Sequence, residues 1–407
     1  MRIAAISYGT EGDVRPMLAL GRELAARGHQ LVLAGDANGA AAAAAQGIDY
    51  VSLSGDLRDE ISGSGRIAQL VRRGGAAVNG IAPVRVLLRE HLHRWTTDLM
   101  EAAQGADAVL SSGLSLPAGF NAAEALGVPV IATFFQPFTA SRHLKSSMLP
   151  PRLPLALHGP LFRLGNQAAW GAVRGIVNDS RAKLGLEPQQ RLWSSYRQFG
   201  AWSPTLVPAP PDWGPEVSVV GQWELAGGAG WQPDDKLAGF LADGEAPVYA
   251  GFGSMAATPE LLAAAVEALD GRRCLLSPGW SRAVPERLPD TVHVVGHVPH
   301  DWLFGQVSAV VHHCGAGTSH SAVRAGVPSV AVPFTADQPF WADRLHTLGL
   351  ATRPVPVARA SASALRQAMD HVDELAPQVA RAAAGMRQED GCGAAVGLLE
   401  ELAAASR

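Results

Sequence analysis

Apolar residues along the chain fall into two kinds of segment that follow each other in turn. Short apolar runs typical of buried strands lie at Arg2–Ser7, Ala108–Ser111 and Val130–Thr133. Stretches in which leucine or alanine recurs at helical spacing follow such runs, for example at Pro16–Arg27 and Pro117–Leu126. Strands and helices that alternate in this way predict a parallel sheet with helices on both faces. We therefore expect an α/β domain in the first half of the chain.

A proline-rich stretch, Ser203–Pro215, interrupts this alternation. Proline stiffens the chain and blocks helix formation, so we interpret the stretch as a linker between domains. The alternation then begins again, with strands predicted at Val248–Ala250, Arg273–Leu276, Val292–Val295, Ala309–His312 and Ser329–Val332, and helices at Pro259–Leu269, Thr318–Ala325 and Gln338–Leu348. These patterns predict a first domain over residues 1–205, a linker over 206–216 and a second domain over 217–387. Two such domains that face each other place a ligand cleft at the carboxyl ends of their strands.

The composition agrees with a folded chain of about two domains. The 407 residues are too many for one ordinary core, and a hydrophobic fraction of 47% excludes a disordered chain. Lys+Arg number 33 against 37 Asp+Glu, for a net charge of -4 without any basic run, so we expect no nucleic-acid partner. The three cysteines, Cys274, Cys314 and Cys392, lack C-x-x-C spacing, which argues against a disulfide framework or a structural zinc site and suits a reducing compartment.

No apolar run approaches the roughly 18 residues of a membrane-spanning helix, and the N-terminal run is too short for a signal peptide. The sequence therefore predicts a soluble, cytoplasmic protein. One segment, Met148–His158, is apolar and broken by prolines. We interpret it as a loop packed on the core. The alternatives are a wall of an apolar substrate channel and a patch that makes transient contact with a membrane surface.

The turn after the first predicted strand is Gly9–Asp13. Its glycines allow a tight turn and a close approach of the backbone to a ligand. The spacing is G-x-x-G rather than the G-x-G-x-x-G of a dinucleotide site, which is weak evidence for NAD or FAD. Asp13 is either the N-cap of the helix that follows or a carboxylate at the mouth of the cleft, able to act as a general base.

The segment Val310–Ser319 carries an apolar strand into a glycine-rich turn at the start of a helix. Backbone N–H groups at a helix start form a site suited to phosphate, and Thr318 and His313 add a hydroxyl and a donor that could neutralise a departing diphosphate. The turn lacks the lysine of a P-loop, and His312 and His313 point to opposite faces of the strand, so they are poor joint metal ligands. A purely structural turn is the alternative. A second turn, Gly251–Met255, offers Ser254 to the same anion.

Asp337 and Gln338 lie at another junction between a strand and a helix. Asp337 is either an N-cap or, with the amide of Gln338, a ligand for the hydroxyls of a sugar. The chain contains no D-x-D sequence and hence no obvious metal–diphosphate clamp. Apolar and aromatic residues that suit a polycyclic or macrocyclic acceptor, or ordinary core packing, include Phe134, Phe135, Phe138, His143 and His158.

At these residues the chain resembles the nucleotide-sugar-dependent glycosyltransferases of the GT-B fold, in the family that includes plant, antibiotic and sterol glycosyltransferases. The stretch Gly296–Leu350 resembles the donor-binding signature of that family. Gly9–Pro16 resembles the N-terminal motif of the sterol branch, as do Ser203-Pro204, Pro211–Trp213 and Gly251–Ser254. The likeness spans nearly the whole chain. It implies an α/β fold of two facing Rossmann-like domains with a cleft between them, and a C-terminal helix over residues 388–407 that packs back on the first domain.

The resemblance also implies a role for each motif residue. It implies Asp13 as the general base, Thr10, Gly12, Ser254, His313, Gly315, Gly317 and Thr318 at the diphosphate of the donor, Trp280, His297 and Val298 at its base, and Asp337 and Gln338 at its sugar.

The activity that the resemblance implies is an inverting transfer of a sugar from a UDP- or dTDP-sugar to a hydroxyl of an apolar small molecule, sterol-like or polyketide, without a metal or a further cofactor. A monomer and a homodimer are both compatible with the sequence. One alternative is a nucleotide-sugar epimerase, which would need no apolar acceptor pocket. A second is a non-catalytic auxiliary partner of a transferase, which would not need Asp13, the histidine–glycine turn and Asp337–Gln338. A dehydrogenase is a third, and it lacks its glycine fingerprint.

Overall fold

The computed structural model describes residues 1–56, 81–228, 230–255, 257–281 and 284–405. Within these residues the strands form two sheets, and every strand pair is parallel. The first sheet has the order β3-β2-β1-β4-β5-β6-β7 and the second has the order β10-β9-β8-β11-β12. The strands are β1 Arg2–Tyr8, β2 Gln30–Gly35, β3 Asp49–Ser52, β4 Ala108–Gly113, β5 Val130–Phe134, β6 Arg197–Gly200, β7 Val217–Val219, β8 Val248–Gly251, β9 Cys274–Ser277, β10 Val292–Val294, β11 Ala309–His312 and β12 Ser329–Ala331.

Helices cover both faces of each sheet, as the alternating pattern predicts. In chain order they are α1 Glu11–Ala26, α2 Ala40–Ala45, α3 Ile81–Ala102, α4 Leu116–Leu126, α5 Leu155–Lys183, α6 Asp235–Ala242, α7 Pro259–Ala268, α8 His300–Leu303, α9 Ala316–Ala325, α10 Gln338–Thr347, α11 Ala362–Met369, α12 Ala376–Met386 and α13 Gly391–Ala405. No helix in the described ranges combines the length and the apolar character that crossing a membrane requires.

The side chains of β1 show how the first sheet is buried. Ile3 and Ala5 pack into the core on the side of α1 and α13, whereas Ala4 and Ile6 pack into the core on the side of α3, α4 and α5. Neighbouring residues of a strand point to opposite faces, so a strand that is apolar at every position is buried on both faces. This explains why the first strand is a continuous apolar run rather than an alternating one.

The first domain extends farther along the chain than the sequence predicts. The strand Val217–Val219 pairs with β6 in the first sheet, so the predicted start of the second domain at residue 217 is wrong. The proline-rich stretch Ser203–Pro215 joins two strands of that sheet and contributes Leu206 and Val207 to a core shared with α10. Its composition indicated a linker because proline excludes helix. In the structure the loop is anchored by buried residues such as Leu206 and Val207, while Pro204, Pro208, Pro211 and Pro215 are exposed.

Two helix starts also differ from the prediction. α1 begins at Glu11, five residues before Pro16, and α9 begins at Ala316 rather than Thr318. The long helix α5 begins within the predicted loop at Met148–His158, because the last four residues of that segment, Leu155 to His158, form its first turn.

The last helix, α13, crosses back to the first domain. Ala395, Val396 and Leu399 are buried in the same core as β1 and α1. The indole N–H of Trp223 donates to the carbonyl oxygen of Gly391 over 3.1 Å, which fixes the start of the helix. The resemblance implied this crossing helix, and the structure shows it.

We expect Leu399→Ala to destabilise the first domain although the residue lies near the end of the chain. Leu399 is 2% exposed, and truncating a buried leucine to alanine costs about 2–5 kcal/mol. Glu401→Ala, at an exposed position of the same helix, should change the free energy of unfolding by less than about 0.5 kcal/mol. Urea unfolding followed by tryptophan fluorescence measures both variants. Equal stability of the two variants would contradict the role of α13 in this core.

Candidate active site

The order of the strands brings specific loops to the cleft between the domains. Strand order reverses direction at β1 in the first sheet and at β8 in the second. In open parallel sheets, ligands bind at the carboxyl ends of the strands at such points. The loops after β1, β8 and β11 therefore border the cleft. The loops after β8 and β11 contain Ser254 and His313, and Asp13 lies in the first turn of α1, directly after the short loop that follows β1.

A capping box fixes the carboxylate of Asp13 in the first turn of α1. The backbone N–H of Thr10, the N-cap residue, donates to Asp13 Oδ2 over 2.8 Å. The Thr10 hydroxyl donates to the same oxygen over 3.3 Å and accepts from the N–H of Gly12 over 3.3 Å. Asp13 is thus the third residue of the helix and not its N-cap, as in other capping boxes. Its half-buried carboxylate leaves Oδ1 without a hydrogen bond to any described residue.

Small residues make the space that this carboxylate occupies. A Cβ added to Gly9 would overlap the Asp13 carboxylate, and a Cβ added to Gly113 would lie 3.7 Å from Oδ1. The hydroxyl of Ser7 donates to the carbonyl oxygen of Asp13 over 2.8 Å and accepts from the hydroxyl of Ser112 over 2.7 Å. The ends of β1 and β4 therefore hold both the backbone and the side chain of Asp13.

The two domains each bring one carboxylate to the cleft, and the two interact. Burial raises the pKa of Asp13 to about 6, against the hydrogen bonds from Thr10, which lower it. Burial also raises the pKa of Asp337 to about 6, and the negative charge of Asp13 adds to this rise.

The turn after β11 presents free backbone N–H groups. Gly315 is the N-cap residue of α9, and it has no side chain that could accept from the first turn. The ring of His313 lies between two glycines: a Cβ on Gly253 would lie 3.1 Å from its Cε1, and a Cβ on Gly315 would overlap its Nε2. Its Nδ1 is buried without a hydrogen-bond partner among the described residues. Free amides at a helix start beside an unpartnered imidazole are suited to a phosphate group.

His313 is neutral in this setting, because burial lowers its pKa to about 4. The sequence predicted that His313 neutralises the charge of a departing diphosphate. The neutral ring can instead donate a hydrogen bond, and an anion bound beside it would raise the pKa of His313. Gly317 and Thr318 follow in the first turn of α9, whose earlier start adds the N–H of Ala316 to those facing the cleft. Thr318 is half-buried.

The segment that contains Trp280 is tied to the turn after β8. The backbone N–H of Trp280 donates to the carbonyl oxygen of Gly253 over 3.0 Å, and Gly279 approaches the same carbonyl so closely that a Cβ there would overlap it. Ser254, next to Gly253, is half-buried. His297 is exposed and Val298 half-buried, both just ahead of α8. The contacts of these residues with a nucleotide base remain predictions.

Asp337 and Gln338 differ in how much of their side chains is free. Gln338 is buried, and its Oε1 accepts from the N–H groups of Phe334 and Thr335 over 2.9 Å and 3.2 Å. Asp337 has the N-cap position of α10, but its side chain makes no capping bond. Its Oδ2 instead accepts from the indole N–H of Trp341 over 2.9 Å. Asp337 is therefore the better placed of the pair to bind a ligand with a side-chain oxygen.

The predicted acceptor residues do not all lie together. Phe134 stacks on Phe138 with ring centroids 5.1 Å apart, and Phe138 meets Phe162 edge-on at 5.2 Å. Phe135 packs on the opposite side of the sheet, where its ring lies 6.3 Å from that of Trp223, so the prediction that it joins this wall is wrong. Alternation along the chain at the end of β5 explains the difference.

Of the two histidines predicted at the acceptor, one is exposed and one is buried. His143 is exposed on the loop before α5. His158 is fully buried, with Nδ1 accepting from the N–H of Ser146 over 3.0 Å and Nε2 lying 3.2 Å from the carbonyl oxygen of Leu153. His158 therefore holds the loop against α5, and the prediction that it contacts an acceptor is wrong.

Sequence reasoning missed two groups at the cleft, Arg15 and His300. Arg15 lies on the same face of α1 as Arg22, two turns earlier. The guanidinium of Arg22 donates to the carbonyl oxygen of Ala226 over 2.9 Å. Burial lowers the pKa of His300 to about 4, and the positive charge of Arg15 contributes. Helical spacing from Arg22 was the one signal that could have indicated Arg15. In the described part of the chain, no three His, Cys, Asp or Glu residues are grouped to hold a metal ion.

Two sequence profiles match the chain. The Glycosyltransferase family 28 N-terminal domain matches residues 3–144, and the Erythromycin biosynthesis protein CIII-like C-terminal domain matches residues 260–394. A sterol 3-beta-glucosyltransferase of Arabidopsis thaliana is 32% identical over 419 residues, which cover 97% of this chain and 67% of the relative. The O-mycaminosyltylonolide 6-deoxyallosyltransferase of Streptomyces fradiae is 34% identical over 381 residues, which cover 90% of this chain and 88% of the relative.

Solved structures agree with the fold. The spinosyn forosaminyltransferase superposes with a TM-score of 0.72 at 18% identity and 99% coverage of both chains. The glycotransferase of kitacinnamycin gives 0.70 at 22% identity and 98% coverage of both. The glycosyltransferase VinC, solved in complex with dTDP, gives 0.68 at 19% identity and 99% coverage of both.

Two parallel-sheet domains with a phosphate-suited helix start at the cleft define a GT-B enzyme. The chain belongs to the glycosyltransferase family that includes the sterol 3-beta-glucosyltransferases and the macrolide glycosyltransferases. The predicted fold class, family and nucleotide-sugar-dependent transferase activity are thereby confirmed.

We expect Gly9→Ala to lower glycosyl transfer by about a hundredfold, because the new Cβ displaces the Asp13 carboxylate and misplacements of about 1 Å have costs of this size. Gly239→Ala is the matched control, since a Cβ on this exposed helical glycine of α6 meets nothing within 4 Å. Initial rates with a nucleotide-sugar donor measure both. Full activity of the Gly9 variant would show that this position of the carboxylate is not needed.

Proposed function

We propose that the protein is an inverting glycosyltransferase in which Asp13 deprotonates the acceptor hydroxyl. The observation that carries the proposal is the position of Asp13: held by Thr10 through one oxygen, with the other free, and close enough to Asp337 for their charges to interact across the cleft. The uncapped start of α9 borders the same cleft. A base, a sugar ligand and a diphosphate site are thus brought together from two domains.

In this mechanism Oδ1 of Asp13 accepts the proton of the acceptor hydroxyl while the hydroxyl oxygen attacks the anomeric carbon of the donor. The bond between that carbon and the diphosphate oxygen breaks on the opposite face, so the configuration inverts. An alcohol is far less acidic than a carboxylic acid, so proton transfer must accompany the attack rather than precede it. The pKa of about 6 makes Asp13 a better proton acceptor than an exposed aspartate while leaving it ionised at neutral pH.

The departing diphosphate is stabilised mainly by preorganised hydrogen-bond donors. The N–H groups of the first turn of α9 and the ring of His313 would donate to its oxygens, with Thr10, Gly12 and Ser254 around them. Donors that are already in place where negative charge develops lower the barrier without reorganisation at the moment of reaction. Asp337 and Gln338 would contact the sugar, and Trp280, His297 and Val298 the base of a uridine or thymidine diphosphate.

We expect Asp13→Asn to reduce turnover by about 10²–10⁴, the share that general base catalysis usually supplies. Binding of UDP or dTDP, measured by thermal stability, should persist. Glu11→Gln is the control, because Glu11 is exposed in the same helical turn and should leave the rate unchanged. In the wild type, kcat/KM should fall as the pH drops through about 6, because protonation removes the base. Substantial turnover of the asparagine variant would contradict the role of Asp13.

We propose further that the acceptor is an apolar molecule with a hydroxyl and that it binds beside the aromatic wall of Phe134, Phe138 and Phe162, in which Phe138 is half-buried and the other two rings are buried. The surface beside this wall supports a contact with an anionic lipid membrane. Leu157, Leu161 and Leu164 share one face of α5 and are 46%, 38% and 62% exposed, next to Met148 at 49% and Leu155 at 41%.

The segment of the chain that carries this leucine surface is positively charged. Residues 125–178 contain no Asp or Glu in a chain whose net charge is -4. Arg142, Arg152, Arg163 and Arg174 are all exposed. An amphipathic surface of leucines flanked by arginines binds at the interface of an anionic membrane through both apolar burial and charge. We therefore favour lipid over a protein partner as the occupant of this surface.

We expect the purified protein to bind vesicles of phosphatidylcholine with 30% phosphatidylglycerol more tightly than vesicles of phosphatidylcholine alone, and less tightly at about 1 M salt because of screening. The double variant Leu157→Gln/Leu164→Gln should bind at least about tenfold more weakly, since two apolar anchors are lost. Leu192→Gln, at a leucine 42% exposed elsewhere, is the control. Equal binding by all variants, or a dimer of the wild type that the double variant loses, would contradict a lipid occupant.

A further inference from the structure

The side chain that holds Asp337 is a buried tryptophan. Trp341 is fully buried in α10, and its indole N–H donates to Asp337 Oδ2 over 2.9 Å. The two residues are four apart, so the bond spans one turn of the helix start. It lowers the pKa of Asp337, against burial, which raises it. The indole therefore favours the ionised carboxylate and fixes which of its oxygens faces the cleft.

Behind the indole lies His320 of α9. The two rings meet nearly at right angles with centroids 4.9 Å apart, and His320 is 2% exposed. Its Nε2 accepts from the backbone N–H of Ser203 over 3.1 Å, and its Nδ1 lies 2.7 Å from the carbonyl oxygen of Ala316. A carbonyl oxygen can only accept, so the ring carries its proton on Nδ1. His320 is neutral, because burial lowers its pKa to about 4.

These contacts reach both the diphosphate site and the first domain. Ala316 is the first residue of α9, whose N–H groups face the cleft. Ser203 belongs to the loop after β6, and its hydroxyl donates to Glu389 Oε1 over 2.7 Å, just before the crossing helix α13. The same oxygen accepts from the Thr205 hydroxyl over 2.6 Å. The ring of His320 thus connects the loop after β6, which belongs to the first domain, to the start of α9.

The helix of Trp341 is itself attached to the first domain at two further points. Arg344 donates through Nε to the carbonyl oxygen of Leu206 over 2.6 Å. Lys145 of the loop before α5 lies 2.9 Å from Asp343 in an ion pair. The helix that begins with the sugar-binding pair therefore contacts the first domain along its length.

We propose that Trp341 and His320 are positioning residues: Trp341 orients the Asp337 carboxylate toward the donor sugar, and His320 couples that orientation to the seating of the first-domain loop at Ser203. This inference rests on the proposed role of Asp337 in binding the sugar. Trp341 itself is fully buried and lies behind Asp337, so it acts through the carboxylate.

The test separates sugar recognition from nucleotide recognition. We expect Trp341→Phe, which keeps the ring contact with His320 but removes the indole N–H, to weaken binding of dTDP-glucose by about tenfold and of dTDP by less than about twofold. If the wild type prefers uridine, UDP-glucose and UDP are used instead. Isothermal titration calorimetry of both ligands gives the ratio of dissociation constants.

Two companion variants make the result interpretable. Trp95→Phe is the matched control, because Trp95 is equally buried and also donates its indole N–H, to the carbonyl oxygen of Ser54 over 2.8 Å. Trp95 belongs to α3 and packs in the core of the first domain. It should leave the ratio unchanged. Asp337→Asn should change the ratio by itself, and adding Trp341→Phe to it should change the ratio little further, as expected of two residues that act as one unit.

The pH dependence gives a readout that packing alone would not alter. The preference for the nucleotide sugar over the nucleotide diphosphate should be lost below about pH 6 in the wild type, as Asp337 becomes protonated. Removing the indole N–H takes away a bond that favours the ionised form, so the midpoint should move to higher pH in Trp341→Phe. An unchanged ratio and an unchanged midpoint in a folded Trp341→Phe protein would overturn the proposal.

A measurement on the intact tryptophan covers the case in which Trp341→Phe does not fold. In the wild type, one indole N–H resonance in a ¹H–¹⁵N spectrum should titrate with a midpoint of about 6 and should not titrate in Asp337→Asn. The absence of such a resonance would overturn the proposal. If Asp337→Asn leaves the ratio of affinities unchanged, the proposed sugar contact fails instead, and the two failures are thereby distinguished.

Discussion

The hydrogen bonds between Thr10 and Asp13 determine what the cleft can do. They complete a capping box and so satisfy the start of α1, and they hold one oxygen of a half-buried carboxylate. Burial alone pushes the pKa of Asp13 upward, and these bonds oppose it, with a value of about 6 as the outcome. A carboxylate buried as deeply but without these bonds would have a higher pKa and be protonated over more of the neutral range. The stability of the start of α1 and the protonation state of the proposed base therefore depend on the same two hydrogen bonds from Thr10 to Asp13.

The opposite side of the cleft, where we propose that the diphosphate binds, carries few charges. The start of α9 is uncapped, and the histidines nearest to it are neutral because they are buried. Arg15, which belongs to the other domain, is the cationic side chain whose charge reaches this region. A site of this kind would hold a diphosphate through aligned N–H groups more than through long-range attraction. This agrees with a chain whose overall charge is -4.

Much of this could be predicted from the sequence, for identifiable reasons. Continuous apolar runs indicated β1, β4 and β11 because strands buried on both faces have no polar side, and glycine turns after them indicated the cleft loops. The strands β6 and β7 escaped prediction because neither is a continuous apolar run: β6 begins with Arg197 and Gln198, and β7 has Ser218 at its centre. The prolines between them also imitate a linker. His158 and Phe135 were misassigned because residue type does not reveal which face of a sheet or helix a side chain takes. The bond from Trp341 to Asp337 spans only four residues, but residue type alone does not indicate that the indole turns back to the start of its own helix. The contact of His320 with Ser203 joins residues far apart in sequence, and no local pattern encodes it.

The crossing helix α13 has a consequence for how the chain is made. The core around β1 contains Leu399, so the interior of the first domain stays incomplete until this residue has been synthesised. The second domain has its own core and can fold before that point. Cleavage of the chain between the two domains would therefore not give two independently folded fragments. Helix α13 completes the core of the first domain, but it would remain on the fragment that carries the second domain.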